Sequence, residues 1–342
     1  MRLACAPQGA HLRAPSQHTS PALHRHDHHP DTRRPLADRV AGAARVTIVL
    51  GKGGVGKTTV AAALALDWAR AGEKVLLTSV SDRAELARRV RQEGQDLPPT
   101  LTLVELDPRG LVDDLVRRAV RLGPLAEAIV RHPAYDSIIT IAPGIREMAM
   151  LDHVWERRDG FDRVVLDAPA TGHGLHFLEA PRRTEAMVVG KLRERATALR
   201  KALEDPSQTD IVLVTLAEET PVRETRELAS TLAAQGFRVD NVVVNRWFPD
   251  VFDDAGSRLV LDTLDADAAA REGLQRAIAR YSRIDIEDWV GAARLVRGQR
   301  DEHRENLDAL RGTAQKIALV PFLPQAEGRL AAVARSLSEV LA

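Results

Sequence analysis

The sequence predicts an α/β protein, a doubly wound and mostly parallel sheet with an inserted helical subdomain, and three observations predict it. Short apolar runs rich in β-branched residues recur between helical stretches from residue 45 onward. A glycine-rich loop joins the first of these runs to an alanine-rich helix. The strand pattern then lapses twice into amphipathic helical text. Parallel strands covered by helices on both faces read as continuous apolar runs, which is the pattern here.

Residues 1–43 stand apart from the rest of the chain. Pro, Arg, Ser and His are frequent in them and no hydrophobic periodicity appears, so the expectation is a disordered N-terminal tail ahead of one domain over 44–342. The histidines of the tail, His24, His26, His28 and His29, lack a scaffold that would fix ligand geometry.

The strand candidates from there are Val46–Leu50, Lys74–Ser79, Leu101–Leu106, Arg163–Leu166, Ile211–Leu216, Val239–Val244 and Ile317–Val320. Helical text fills about 107–160 and 174–205, and these two stretches make up the expected subdomain, lying over the edge of the sheet that carries the glycine-rich loop. The stretch Leu259 to Leu310 is also helical in pattern, and a C-terminal helix is expected from Leu330, Val333, Leu337, Val340 and Leu341. Arg88, Arg89 and Arg91, and likewise Arg117, Arg118 and Arg121, read as solvated helix faces.

"GKGGVGKTT" comes directly after the first strand. Gly51, Gly56, Lys57 and Thr58 satisfy G-x-x-x-x-G-K-[ST], with Gly53, Gly54, Val55 and Thr59 completing the loop. Glycines let backbone N–H groups converge on phosphate oxygens, the lysine reaches the β- and γ-phosphates, and the threonine hydroxyl is a Mg²⁺ ligand. The next helix adds its positive end. The loop therefore implies nucleotide binding with Mg²⁺. Further on, the apolar run at 163–166 ends in Asp167, placed as a carboxylate beside Mg²⁺ or, alternatively, as a cap of the next helix. Pro169, Thr171, Gly172 and His173 then form a loop in which Gly172 offers a bare N–H to a γ-phosphate. Asn245 ends an apolar strand and has two readings: its amide matches the N6/N7 edge of adenine, or it satisfies backbone groups at the strand end. The text Asn245-Arg246-Trp247-Phe248 lacks the carboxylate with which N-K-x-D reads guanine, so ATP is favoured.

Balanced charge, 48 basic against 48 acidic residues, and 4% aromatic content give no support to a nucleic-acid partner. No apolar stretch approaches the roughly 18 residues that span a bilayer. The only cysteine is Cys5, which fits a reducing cytoplasm and leaves no disulfide and no C-x-x-C metal site.

The two motifs "GKGGVGKTT" and "DAPATGHGLHFLEAP", with "APGIREM" at 142–148, "VVVNRWFP" at 242–249 and "VPFLPQAEGRLAAVA" at 320–334, resemble the ArsA-type ATPases. These include the arsenite-pump ATPase and the targeting factor for tail-anchored membrane proteins, and belong to the deviant Walker A class of P-loop NTPases with MinD. The resemblance implies that Lys52 crosses a dimer interface to the partner's nucleotide, and that this chain, with one Walker A loop, acts as a homodimer. It also implies an ATP-driven switch that binds and releases a client protein; the other reading is a regulatory nucleotide-binding module with little or no ATPase activity. That second reading arises because the family's first switch carries a water-positioning aspartate where "TSVSDRAEL" places Ser81, with Asp82 one residue late. Asp82 is the candidate base, and a solvated or helix-capping aspartate the alternative. The cysteine-built arsenite site and the C-x-x-C zinc clamp of those relatives have no counterpart here.

Overall fold

Each apolar run of the sequence becomes a strand. The computed structural model describes residues 41–80, 87, 97–120, 122–142, 144–169, 174–248, 255–279, 285–322 and 340–341. Among the described residues the strands are β1 (Val46–Leu50), β2 (Val75–Ser79), β3 (Leu101–Glu105), β4 (Arg163–Asp167), β5 (Thr209–Leu216), β6 (Asn241–Trp247), β7 (Lys316–Pro321) and β8 (Val340–Leu341). They form one sheet in the order β3-β2-β4-β1-β5-β6-β7-β8, parallel from β1 to β7, with β8 antiparallel to β7.

Alternation along each strand feeds two cores. Val49, Val75, Leu77, Val165, Val212 and Val214 face α1 (Lys57–Arg70). Their neighbours Ile48, Leu50, Leu76, Val164, Leu166 and Leu213 face the opposite layer. The alanines of α1, Ala61, Ala63 and Ala65, are fully buried and let the helix lie close to the sheet; Trp68, also fully buried, fills the end of that layer. Arg163 stacks its guanidinium over the Trp68 ring at 4.9 Å and donates to the Gly42 and Ala44 carbonyls at 3.1 Å. Ala41 is fully buried in this core, so packing begins by residue 41, inside the stretch read as tail. Residues 1–40 of that expected tail lie outside the described residues.

The helices between β3 and β4 are α2 (Pro108–Ala119), α3 (Gly123–Val130), α4 (Tyr135–Ile141) and α5 (Ile145–Arg157); those between β4 and β5 are α6 (Gly174–Met187) and α7 (Lys191–Glu204). Asp107 starts α2 by accepting from the Arg109 and Gly110 N–H groups at 3.1 Å, with Pro108 in the first turn. Leu115, Met148, Leu151, Phe177 and Leu199 share one core with Ile48 and Leu166. The helical insertion is therefore built as the second layer of the sheet, with a core in common.

Charge ties this layer together. Asp152 on α5, 5% exposed, takes both arms of the Arg195 fork at 3.0 and 2.8 Å. Arg118 of α2 approaches the same carboxylate at 3.5 Å and pairs with Glu156. Arg118 is thus part of an inter-helix clamp and not a purely solvated face, whereas Arg117 pairs at the surface with Glu127 and Asp114. Arg88, Arg89, Arg91 and Arg121 lie outside the described residues.

After β5 come α8 (Glu219–Ala234), then, beyond β6, α9 (Ala255–Ala266), α10 (Ala268–Ile278) and the long α11 (Ile286–Leu310). The last three pack partly on a small core of their own, Leu264, Ile286 and Val290. Two sequence expectations need correction. β6 runs past Val244 to Trp247, because Arg246 adopts a left-handed conformation (φ 57°) and the pairing with β7 shifts register there, which lets the strand resume. Val340 and Leu341, read as the end of a helix, pair as a short edge strand with Ile317 and Ala318; their apolar character suits either element, and the open edge of β7 decides. Among the described residues no helix is long and apolar enough to cross a membrane.

Candidate nucleotide site

β1 and β4 lie side by side at the centre of the sheet, and the site forms at their carboxyl ends, where open α/β sheets place ligands. The chain leaves β1 through Gly51 and enters α1 through Gly56, both at positive φ (149° and 98°). Space forces glycine at both as well. A Cβ at Gly51 would stand 2.3 Å from the Val214 carbonyl oxygen, and one at Gly56 would stand 2.2 Å from Asn245 Nδ2.

Lys57 is buried, and its Nζ donates to the Lys52 carbonyl at 3.0 Å across the loop. Burial pushes its ammonium below the usual lysine range, with the Asp167 charge opposing the shift. Among the described residues α1 has no side-chain cap, and its first turn carries no acidic residue. Its first N–H groups are therefore left for an anion. Gly53 and Gly54 are exposed on the rim, Val55 is buried, and Thr58 and Thr59 are half-buried in the first turn of α1.

Asp167 closes the other side. Strand register sets it level with Val49 on β1 and with Ser79 on β2. Its Oδ2 accepts from Thr58 Oγ1 at 2.7 Å and from Ser79 Oγ at 2.8 Å, and the residue is 3% exposed. A carboxylate flanked by two hydroxyls beside a phosphate-binding loop is a set of hard oxygen donors without nitrogen or sulfur, which fits Mg²⁺. Ser79 escapes the motif reading because only the strand order, β2 next to β4, brings it to Asp167.

Asn245 takes the second of its two readings, satisfying backbone groups, and Lys52 turns to another helix. Asn245 is turned to the back of the loop: Nδ2 donates to the Val55 carbonyl at 2.8 Å and Oδ1 accepts from the Arg246 N–H at 2.9 Å. Lys52 leans away from the loop it belongs to and pairs with Glu224 on α8. Ser81, Asp82, Thr171, Gly172 and His173 lie outside the described residues, whereas Pro169 is described and comes two residues after Asp167 at the exit of β4.

A sequence profile of the anion-transporting ATPases matches residues 44–194 and 185–263, which together carry every strand from β1 to β6 and every element of this site. The chain belongs to the anion-transporting, or ArsA-type, ATPase family. Three relatives show the range. The chain is 32% identical to the ATPase BagA of Mycobacterium tuberculosis, over 80% of this chain and 86% of that protein. It is 30% identical to the arsenical pump-driving ATPase of Escherichia coli, over 61% of this chain and 36% of that protein. It is 26% identical to the ATPase GET3 of Komagataella phaffii, over 57% of this chain and 71% of that protein. ATPase activity is thereby supported at the level of the family. Membership also fits the placement of Lys57, Thr58 and Asp167, the three groups that a P-loop ATPase brings together.

Proposed function

We propose that this family member binds ATP and hydrolyses it as a dimeric switch in the cytoplasm, coupling turnover to the binding and release of a client protein. The observation that carries the reading is the meeting of Lys57, Thr58, Ser79 and Asp167 at the carboxyl ends of β1, β2 and β4. Lys57 and the open N–H groups of α1 hold the β- and γ-phosphates. Thr58 and Asp167 hold Mg²⁺, and Ser79 keeps the Asp167 carboxylate aimed at it. When bound, the ion spreads the charge of the transferred phosphoryl group. Lys52 adds a cation to the nucleotide of the partner subunit, in the manner of an arginine finger. Asp82 or Ser81 orients the attacking water, and Gly172 meets the γ-phosphate.

The regulatory reading, an ATP-bound dimer with little turnover, is favoured by one feature: Ser81 stands where the family carries its water-positioning aspartate. Phosphate release from Mg²⁺ATP separates the two. Turnover abolished by Lys57→Ala supports the switch, while ATP binding without turnover supports the module. Mixing tests the arrangement in trans. A heterodimer of Lys52→Ala with Lys57→Ala places one intact Lys57 loop opposite one intact Lys52, so two inactive chains should recover part of the activity. Zero activity with the heterodimer confirmed by mass would count against the clamp.

A further inference from the structure

Lys52 carries its charge out of the loop and onto another element. Its partner Glu224 lies on α8, 172 residues along the chain, and the pair sits in the wall of a cavity of about 350 Å³ between the loop, the start of α6 and α8. Leu175, Leu213 and Leu228 line the same cavity, so the ion pair has apolar neighbours on one side. The Glu224 side chain is 33% exposed against 53% for Lys52, and its second oxygen, Oε2, is buried with no donor among the described residues. Glu224 thus depends on Lys52 for its charge partner. When the lysine leaves, Oε2 gains no other donor among the described residues, so departure carries the modest cost of breaking a partly exposed ion pair.

From this geometry we infer that Glu224 is a latch: it holds Lys52 inside its own subunit, and ATP-driven pairing must first pull the lysine off it. This rests on the reading of Lys52 as a cation acting across a dimer. A lysine cannot contact Glu224 and a partner's phosphate together, so the two ion pairs compete. The competition makes the free chain resistant to pairing until a triphosphate, with its higher charge, displaces one carboxylate. Partly exposed ion pairs are worth about 1.4- to 5-fold in an equilibrium constant. Two latches open per dimer, so removing both tightens the dimer by about 2- to 25-fold. Glu227 lines the same cavity without pairing with Lys52 and serves as the charge-matched control.

The experiment has two arms, both on the full chain. In the nucleotide-free protein, acylation of Lys52 is followed by mass spectrometry; Glu224→Gln should raise its labelling about 3-fold over wild type and Glu227→Gln should not. In the second arm the dimer dissociation constant is measured by sedimentation velocity with Mg²⁺ and a non-hydrolysable ATP analogue. Glu224→Gln should tighten the dimer about 10-fold, Glu224→Asp should restore most of the wild-type value, and Glu224→Gln placed on Lys52→Ala should change nothing. Unchanged labelling overturns the pair itself. A tighter dimer that persists in the Lys52→Ala background, or a weaker dimer in Glu224→Gln, overturns the latch while leaving the trans cation standing. A Lys52→Ala chain that dimerises like wild type overturns the trans cation instead, and with it what the latch controls.

Discussion

Asn245 offers a sharp test between two roles, bracing the loop backbone or reading the adenine edge. Its amide bridges Val55 of the loop and Arg246 of β6 through bonds of 2.8 and 2.9 Å, and the residue is 7% exposed. Asn245→Ala removes both bonds. It leaves the Val55 carbonyl, on a residue only 3% exposed, without its donor, and frees the N–H of a residue already held at φ 57°. A buried polar group left unsatisfied costs about 1–3 kcal/mol, so a total of about 2–3 kcal/mol is expected once the partly buried Arg246 N–H turns to water. At roughly 2 °C per kcal/mol for a chain above 250 residues, the melting temperature of the nucleotide-free protein should fall by about 4–6 °C. Binding should weaken about equally for ATP and GTP, because a loop that has lost its brace holds the phosphates of both less well. Asn245→Asp should be worse, since a carboxylate would then face the Val55 carbonyl oxygen. The assays are calorimetric melting without ligand and titration with each nucleotide. A melting temperature unchanged within error, together with a selective loss of ATP over GTP, would refute the brace and restore Asn245 as the reader of the adenine edge.

Ser79→Ala removes one of the two hydroxyls on Asp167 Oδ2; it should lower stability by about 1.5–3 kcal/mol, the range for a hydrogen bond to a charged group, and raise the Mg²⁺ concentration for half-maximal turnover. At the first switch, Ser81→Asp should raise turnover and Asp82→Asn change little if the family position rules; a loss on the order of 100-fold in Asp82→Asn alone would show that Asp82 faces the water. Acid should weaken the fold through one buried and one half-buried histidine. His303, 8% exposed and with no partner for Nδ1 among the described residues, is held below the usual histidine range by burial, and His153 by burial and then by Arg157 and Arg118. Because the unfolded chain binds the proton first, this contribution is complete above the ordinary histidine value near 6.5 and is lost as pH falls below it, so His303→Asn should flatten the melting profile below about pH 6.5.

The strands were legible because a sheet covered on both faces needs side chains that are apolar at successive positions, and such runs are hard to mistake. The loop was legible because its glycines answer a local demand: at Gly51 and Gly56 a Cβ would stand 2.3 Å from a carbonyl oxygen and 2.2 Å from an amide nitrogen. The strand order was not legible, and with it went Ser79. Nothing in "VLLTS" announces that β4 will lie beside it, because the pairing is made by the crossover of α1 and the long return through α2 to α5. The end of β6 was misread for a related reason. A left-handed arginine is not a local preference, and it is held by the Asn245 amide and the pairing with β7 on either side of it.

The two lysines of the loop mark the limit most clearly. Lys57 has its place dictated locally, since it opens α1 and is enclosed by the loop whose carbonyl at Lys52 it contacts. A motif can therefore assign it. Lys52 lies on the exposed side of the same loop, beside a cavity that both Glu224 and Glu227 of α8 line, and the backbone imposes no direction on it. Sequence alone supplies a cation and no address for it; the fold supplies one address, Glu224, and a partner subunit would supply another. If both addresses are real, mutation of Lys52 and of Glu224 must act in opposite directions on dimerisation and cease to be additive when combined. Two residues that merely decorate a surface would show neither behaviour.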